Sequence, residues 1–367
     1  MKKTQKPLPE LCITGLGLST SVGHDHKTAC ASIRAGLKRP KKLNNYYVES
    51  KDSYEDQDDG LVTGHPVLEG DYNDTRDRMF TLLAMAVQDL NRNAGLDEGQ
   101  MENTRLYLAL PEQSRLALEQ EDIHDLMHIH WPMMNLESGF RAYPKGHAGM
   151  IYALADAADA IGKGLCSRVL VAGTDSLIGF NDLARLEKQE RLKTILNSDG
   201  LIPGEAASAC LIESTQAARH RNAAIACVIK AISTAHEDQP VITGKPATGL
   251  GLARAITGIA EHEKDKPITA TAVINDLNGE FYRFNEWILI QPGIMNRIQG
   301  EKNLICPARC IGDTGAASPG VSICIAARAM ARGYLSLNPK NKNSQAMIVS
   351  SSDTGERGAI LVEREKN

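Results

Sequence analysis

Apolar residues along this chain fall into two rhythms. Short, nearly unbroken runs bounded by turn residues lie at 11–19 (LCITGLGLS), 105–110 (RLYLAL), 167–173 (SRVLVAG) and 208–213 (SACLIE). Comparable runs follow at 225–234, 268–275, 345–352 and 358–363. Such runs suit strands buried on both faces of a sheet. Longer stretches with helical spacing lie between them, at 26–37, 75–94, 147–164, 249–263 and 315–333. Strands alternating with helices give an α/β fold class.

The order also repeats. In the first half GHAG opens an Ala-rich helix, a strand ends in AGTDS, and EAASACLIES follows. In the second half GDTG opens an Ala-rich helix, a strand ends in SSSDT, and GERGAILVER follows. His147 and Asp313 hold equivalent places in the two copies. Small residues along both helices, such as Ala153, Ala157, Ala326 and Ala327, allow the close approach a middle layer between two sheets demands. We expect two halves, 1–215 and 216–367, with an insertion near 38–74.

Three stretches carry a family resemblance. CITGLGLSTSVGHDHKTACASIRAGL, GLIPGEAASACLIES (200–214) and GDTGAASPGVSICIAARAMARGYLSLNP (312–339) occur in this order. Together they resemble the β-ketoacyl synthases of the thiolase-like superfamily. The resemblance implies a five-layer αβαβα fold built from two duplicated halves, as a homodimer. It also implies three catalytic parts: a cysteine at a helix N-terminus, where the dipole favours thiolate, and two histidines that promote decarboxylation and stabilise the developing anion.

None of the three is where the resemblance places it. Matching the family's small-residue helix to YAL at 152–154 puts His147 on the cysteine. Cys166 lies at the far end of that helix, about 28 Å away at 1.5 Å per residue. The stretch TATAVINDLNGEFYRFNEW (269–287), where the first histidine belongs, contains none, and the second histidine is replaced by Asp313. The last loop, SSSDTGERG, lacks any Phe. DLNGEFYRFNEW (276–287) together with GDTGAAS (312–318) resembles a divergent branch of thiolase-like proteins that lacks the catalytic Cys-His-His and is associated with type VI secretion clusters. That resemblance implies an adaptor role in effector loading.

The replacements are polar. His147, Asp313 and Glu280 are the candidate catalytic residues, and Asp276, Asn278, Arg283 and Asp353 the candidate pocket residues. In one reading His147 with Asp313 or Glu280 forms a base–carboxylate pair for acyl transfer or hydrolysis. In the other, these groups cap the central helices and bond to one another, with Glu280 and Arg283 pairing across one helical turn. An open tunnel to His147 favours the first; a plug of Arg283, Phe281 or Tyr282 favours the second. A non-catalytic partner of an intact ketosynthase would form heterodimers instead.

Composition narrows the field. Charged residues make up 23 % of the 367 and the formal net charge is −4, which argues against a nucleic-acid partner. The acidic run 49–60 reads as a solvated loop. No stretch approaches the ~20 apolar residues of a membrane span, and the basic N-terminus lacks a signal-peptide core. Eight scattered cysteines without a C-x-x-C pair read as free thiols in a reducing cytoplasm. We expect no metal at Cys306 and Cys310 and no cofactor, since TGLGLARAI (248–256) reads as a helix start rather than a phosphate loop. His124 and His128 share a helical face, and with His130 they read as interface or surface residues. Trp287 is expected to anchor the polar segment before it. The expected partners are a second copy of the chain and a secretion effector or adaptor, with an acyl carrier or acyl-CoA less favoured.

Overall fold

The structure is a computed structural model and describes residues 10–48, 60–131, 136, 139–262, 268–294, 298, 303–336 and 345–365. Apart from Gly60, the acidic run 49–60 lies outside the described residues. The first half contains strands β1 (Leu11–Thr20), β2 (Lys41–Tyr47), β3 (Leu61–Gly64), β4 (Arg105–Leu110), β5 (Phe140–Pro144), β6 (Arg168–Ser176) and β7 (Glu205–Ser214). The second contains β8 (Cys227–His236), β9 (Ala272–Ile274), β10 (Asn303–Ile305), β11 (Gln345–Ser351) and β12 (Glu356–Glu363). Seven helices shape the argument: α1 (His26–Arg34), α2 (Thr75–Ala94), α3 (Gln120–His130), α4 (Gly149–Gly162), α5 (Leu250–His262), α6 (Phe281–Ile294) and α7 (Ser318–Arg332).

Among the described residues, ten strands form one mixed sheet in the order β10-β9-β11-β12-β8-β1-β7-β6-β4-β5. Each side of the β8–β1 seam has the same plan. The outer three strands run parallel, and the next, β7 or β12, pairs antiparallel with both neighbours. The seam itself is only Leu11–Ile229, Cys12–Val228 and Ile13–Cys227.

Five layers result. The helix α2 covers β1, β6 and β7 from outside, and α5, with α6 beside it, covers β8 and β12. Between the two half-sheets lie α4 and α7, and each touches strands of both halves. Their alanines make this possible: Ala153, Ala157, Ala158, Ala326 and Ala329 are completely buried. A larger side chain there would overpack the layer, at a cost of about 1–3 kcal/mol. Local signals set the helix ends. Asp25 caps α1 by accepting from the Lys27 and Thr28 amides, and Asp74 caps α2, which Gly95 ends at φ +62°. No helix among the described residues is long and apolar enough to cross a membrane.

Some boundaries differ from the sequence reading. The central helices, expected over 147–164 and 315–333, begin with 3₁₀ turns at Gly146–Ala148 and Gly315–Ala317 before α4 and α7 start. A glycine in the left-handed region opens each turn, which tightens the entry. The expected strand 268–275 shrinks to β9, and the run at 225–234 is shifted to β8. Within the expected insertion near 38–74, β2 and β3 pair antiparallel over their own small core of Leu43, Val62, Leu183 and Leu186. Trp287 packs in the outer core of the second half, against the α5 side.

Candidate functional site

The site residues come from strand ends, where parallel strands of an open sheet deliver side chains to a common rim. In the first half Glu112 follows β4, His147 follows β5 and Asp175 closes β6. In the second, Asp276 follows β9, Asp313 lies beyond β10, and Ser350 to Asp353 close β11. The pseudo-two-fold turns these rims toward each other.

His147 Nε2 lies 2.7 Å from Asp313 Oδ1, and both side chains are buried. The Arg283 Nη2 amino group is 3.3 and 3.4 Å from the two ring nitrogens. That near equality places it against the ring rather than on one lone pair. Burial and Arg283 push the imidazole toward neutrality, but the charge and hydrogen bond of Asp313, with Asp276, outweigh them and raise its pKa to about 9. Burial likewise opposes ionisation of Asp313, yet His147, Arg283 and Asn278 hold its carboxyl well below the usual range. At neutral pH the pair is imidazolium and carboxylate. Asp313 also accepts from the Gly315 amide at 2.9 Å, so it caps the second turn as well.

Two guanidiniums bind the remaining acids. Arg283 donates to Asp276 at 3.0 Å, to Asp353 at 3.1 Å, to Glu280 at 3.4 Å and to the Ser351 carbonyl. Arg191 forks onto Glu280 at 2.5 and 3.1 Å and onto Asp353 at 2.7 and 3.0 Å. Asn278 bridges Asp313 and Glu280 at 2.6 and 2.7 Å. Burial disfavours the Asp353 charge, but the two arginines hold its carboxyl well below its ordinary range. Glu112 goes the other way. Burial and the nearby Asp353 push its pKa up, and its Oε1 accepts from the Asp353 amide at 3.2 Å.

The helix openings are also filled. The Ala148 amide donates to Ser352 Oγ at 2.8 Å, and the Ala316 amide donates to Asp175 Oδ2 at 2.9 Å. Asp175 is in turn paired with Arg115. These amides would otherwise favour an anion. Gly146 and Gly315, at φ +55° and +48°, let a carboxylate press on each turn: an added Cβ would stand 1.9 Å from Glu112 Oε1 or Asp175 Oδ2.

Chemically this is a closed ion network, with His147, Arg191 and Arg283 set against Asp276, Glu280, Asp313 and Asp353. The His147 side chain is 6 % exposed. The hollow bordering Asp276 and Asp313 holds only about 10 Å³, against the ~300–1,000 Å³ of ordinary small-molecule pockets. A donor set for a metal exists in Glu112, His147 and Asp353, whose ligating atoms lie within 4.8 Å of one another. Arg191 and Arg283 already occupy the Asp353 oxygens and would repel a cation.

The structure brings all seven candidates together: His147, Asp313, Glu280, Asp276, Asn278, Arg283 and Asp353. Within that set, the acid paired with His147 is Asp313; Glu280 is bound by Arg191 and Arg283 instead. The plug is Arg283 alone. Phe281 is 61 % exposed, and Tyr282 turns its hydroxyl to the Gln239 carbonyl. Arg191, Glu112, Ser352 and Asp175 escaped the sequence reading. Glu112 and Asp175 could have been found from their strand-end positions; Arg191 sits in a loop after Phe180–Lys188 with no such signal. His124 packs edge-on against Phe140 and His130 pairs with Asp77 at 2.9 Å, both from α3. Cys306 and Cys310 are free thiols.

No protein-family model matches the sequence, and no curated protein does. Solved structures do. A ketosynthase complex with its type II polyketide acyl-carrier protein, AntDE:AntF, matches with TM-score 0.76 at 14 % identity, covering 98 % of this chain and 100 % of that one. The ishigamide ketosynthase/chain length factor gives the same figures. The ketosynthase from module 6 of the Bacillus subtilis bacillaene synthase matches with TM-score 0.75 at 11 % identity, covering 98 % of this chain and 72 % of that one. The fold is that of the ketosynthases. At this identity the likeness extends to the fold and no further.

Proposed function

We propose that this chain is a ketosynthase-fold protein without condensing activity, a pseudoenzyme that serves as a cytoplasmic binding or scaffold component. One observation carries the reading. The helix opening where a ketosynthase needs a thiol holds His147, locked to Asp313 and covered by Arg283. A general base needs a free lone pair and a path to substrate, and this ring has neither.

A second feature supports a protein partner. The helix α6, which supplies Arg283 to the network, exposes Phe281, Phe284, Ile288 and Leu289 at 61, 51, 44 and 55 %. Their spacing makes one stripe on one face, and a contiguous apolar stripe of this kind marks contact with another protein. The two halves, taken as 1–215 and 216–367, would pair with a second copy as a homodimer. An adaptor role in type VI effector loading is the finer form of the proposal and rests on the sequence resemblance.

The test is intact-mass spectrometry after incubation with acyl and malonyl thioesters, together with pull-downs from native cytoplasm. The proposal expects no covalent acyl adduct, no decarboxylation, and a stoichiometric protein partner lost in Phe281→Ser/Phe284→Ser. An acyl group held by the wild type and lost in His147→Ala would replace it with the enzyme reading.

A further inference from the structure

A groove of about 580 Å³ lies between α1 and the C-terminal part of α7, on a surface that plays no part in the His147 network. Its walls carry Lys27 and Arg34 from α1 and Arg328 and Arg332 from α7. The floor is small: Cys30, Ala31 and Ala35, with Tyr334 at one end. No acidic side chain lines it, and among the described residues none of the four cations takes part in an ion pair. Arg34 lies over the Tyr334 ring, 3.8 Å from its centroid, which fixes its guanidinium at the groove edge.

Helix electrostatics explain only part of this. Arg34 and Arg332 sit in the last turns of their helices, where a cation is favoured. Lys27 stands in the first turn of α1, where a cation is disfavoured, and Arg328 precedes Arg332 by four residues, an unfavourable like-charge spacing. Asp25, which caps α1, is the acid next to Lys27, but it lies outside the groove lining, so four cations are concentrated without an ion-paired acid among the described residues, on a chain of net charge −4. We infer that this groove binds a compound carrying two or more phosphoryl groups. The volume suits a small molecule, and guanidinium forks match phosphate oxygens two at a time. The inference is independent of what the His147 site does.

Calorimetric titration of the full chain with sodium pyrophosphate at low ionic strength tests it. Pyrophosphate should bind, and added salt should weaken binding. Lys27→Glu and Arg328→Gln should each lower affinity about tenfold or more. Lys27 is exposed, so its variant keeps the fold, which an unchanged melting temperature would verify. Vesicles containing cardiolipin, whose headgroup carries two phosphates, distinguish the sources: retention that pyrophosphate displaces assigns the ligand to a lipid headgroup, and pyrophosphate binding without retention assigns a free compound. No pyrophosphate binding, equal binding by both variants, or binding of a polyglutamate peptide in its place would overturn the inference.

Discussion

The two helix openings at the centre of the molecule have nearly the same geometry and opposite charge. Both begin with a glycine in the left-handed region, continue through a 3₁₀ turn, and lose an amide to a side chain from the other half. At the first opening that side chain is the neutral hydroxyl of Ser352; at the second it is the carboxylate of Asp175, balanced by Arg115. The first carries an imidazole and the second an acid, and the two meet at 2.7 Å. Backbone geometry has stayed symmetric while the side chains have diverged into an ion pair.

The largest test of this comparison is to remove one arginine at each opening. Arg283→Ala leaves Asp276 and Asp353 short of a buried partner and should cost about 3–5 kcal/mol in urea unfolding. Arg115→Ala strands Asp175 and should cost a similar amount; a much smaller loss would show that the two openings are not held equivalently.

Next in size is the pH dependence. The His147 pKa is raised in the folded state, so its contribution is complete below about pH 6.5 and is lost as pH rises through about 9. The fall should be about 3 kcal/mol across that window. His147→Gln should flatten it, and an unchanged slope would disprove the imidazolium–carboxylate pair. Asp313 and Asp353 stay ionised well into acid, so no matching loss is expected just below pH 6.

Smaller effects separate the two turns. Gly315→Ala and Gly146→Ala both force an L side chain to positive φ, at about 1–3 kcal/mol. Gly315→Ala should cost more, because Asp175 is short and fixed by Arg115 and the Ala316 amide, whereas Glu112 meets Gly146 with the far end of a longer chain. Melting temperatures of the two variants would rank them. The smallest effect is Ser352→Ala, about 1–2 kcal/mol for the lost helix-cap bond and the lost bond to the Lys145 carbonyl, with the pH slope unaltered.

Much of this was legible in the sequence. Continuous apolar runs gave the central strands, and the matched Gly-His and Gly-Asp openings placed His147 opposite Asp313. What stayed hidden depends on long-range packing. The three-residue strands β9 and β10 are too short to carry a periodic signal. Arg191 reaches Glu280 and Asp353 from 89 and 162 residues away, a contact that no local spacing encodes. Arg283 could be paired with Glu280 from spacing alone, but its stronger contacts go to Asp276 and Asp353.

The seam between the half-sheets has a consequence for how the chain is made. β1, the earliest strand of the sheet, is flanked by β7 and β8, which close one half and open the other. On the ribosome its backbone therefore waits through almost two hundred residues of synthesis before either neighbour emerges. During that interval it is an apolar strand with unpaired edges, the kind of segment that nascent-chain chaperones cover. The repeat that builds the site thus leaves its first strand without either sheet neighbour until the centre of the protein has been translated.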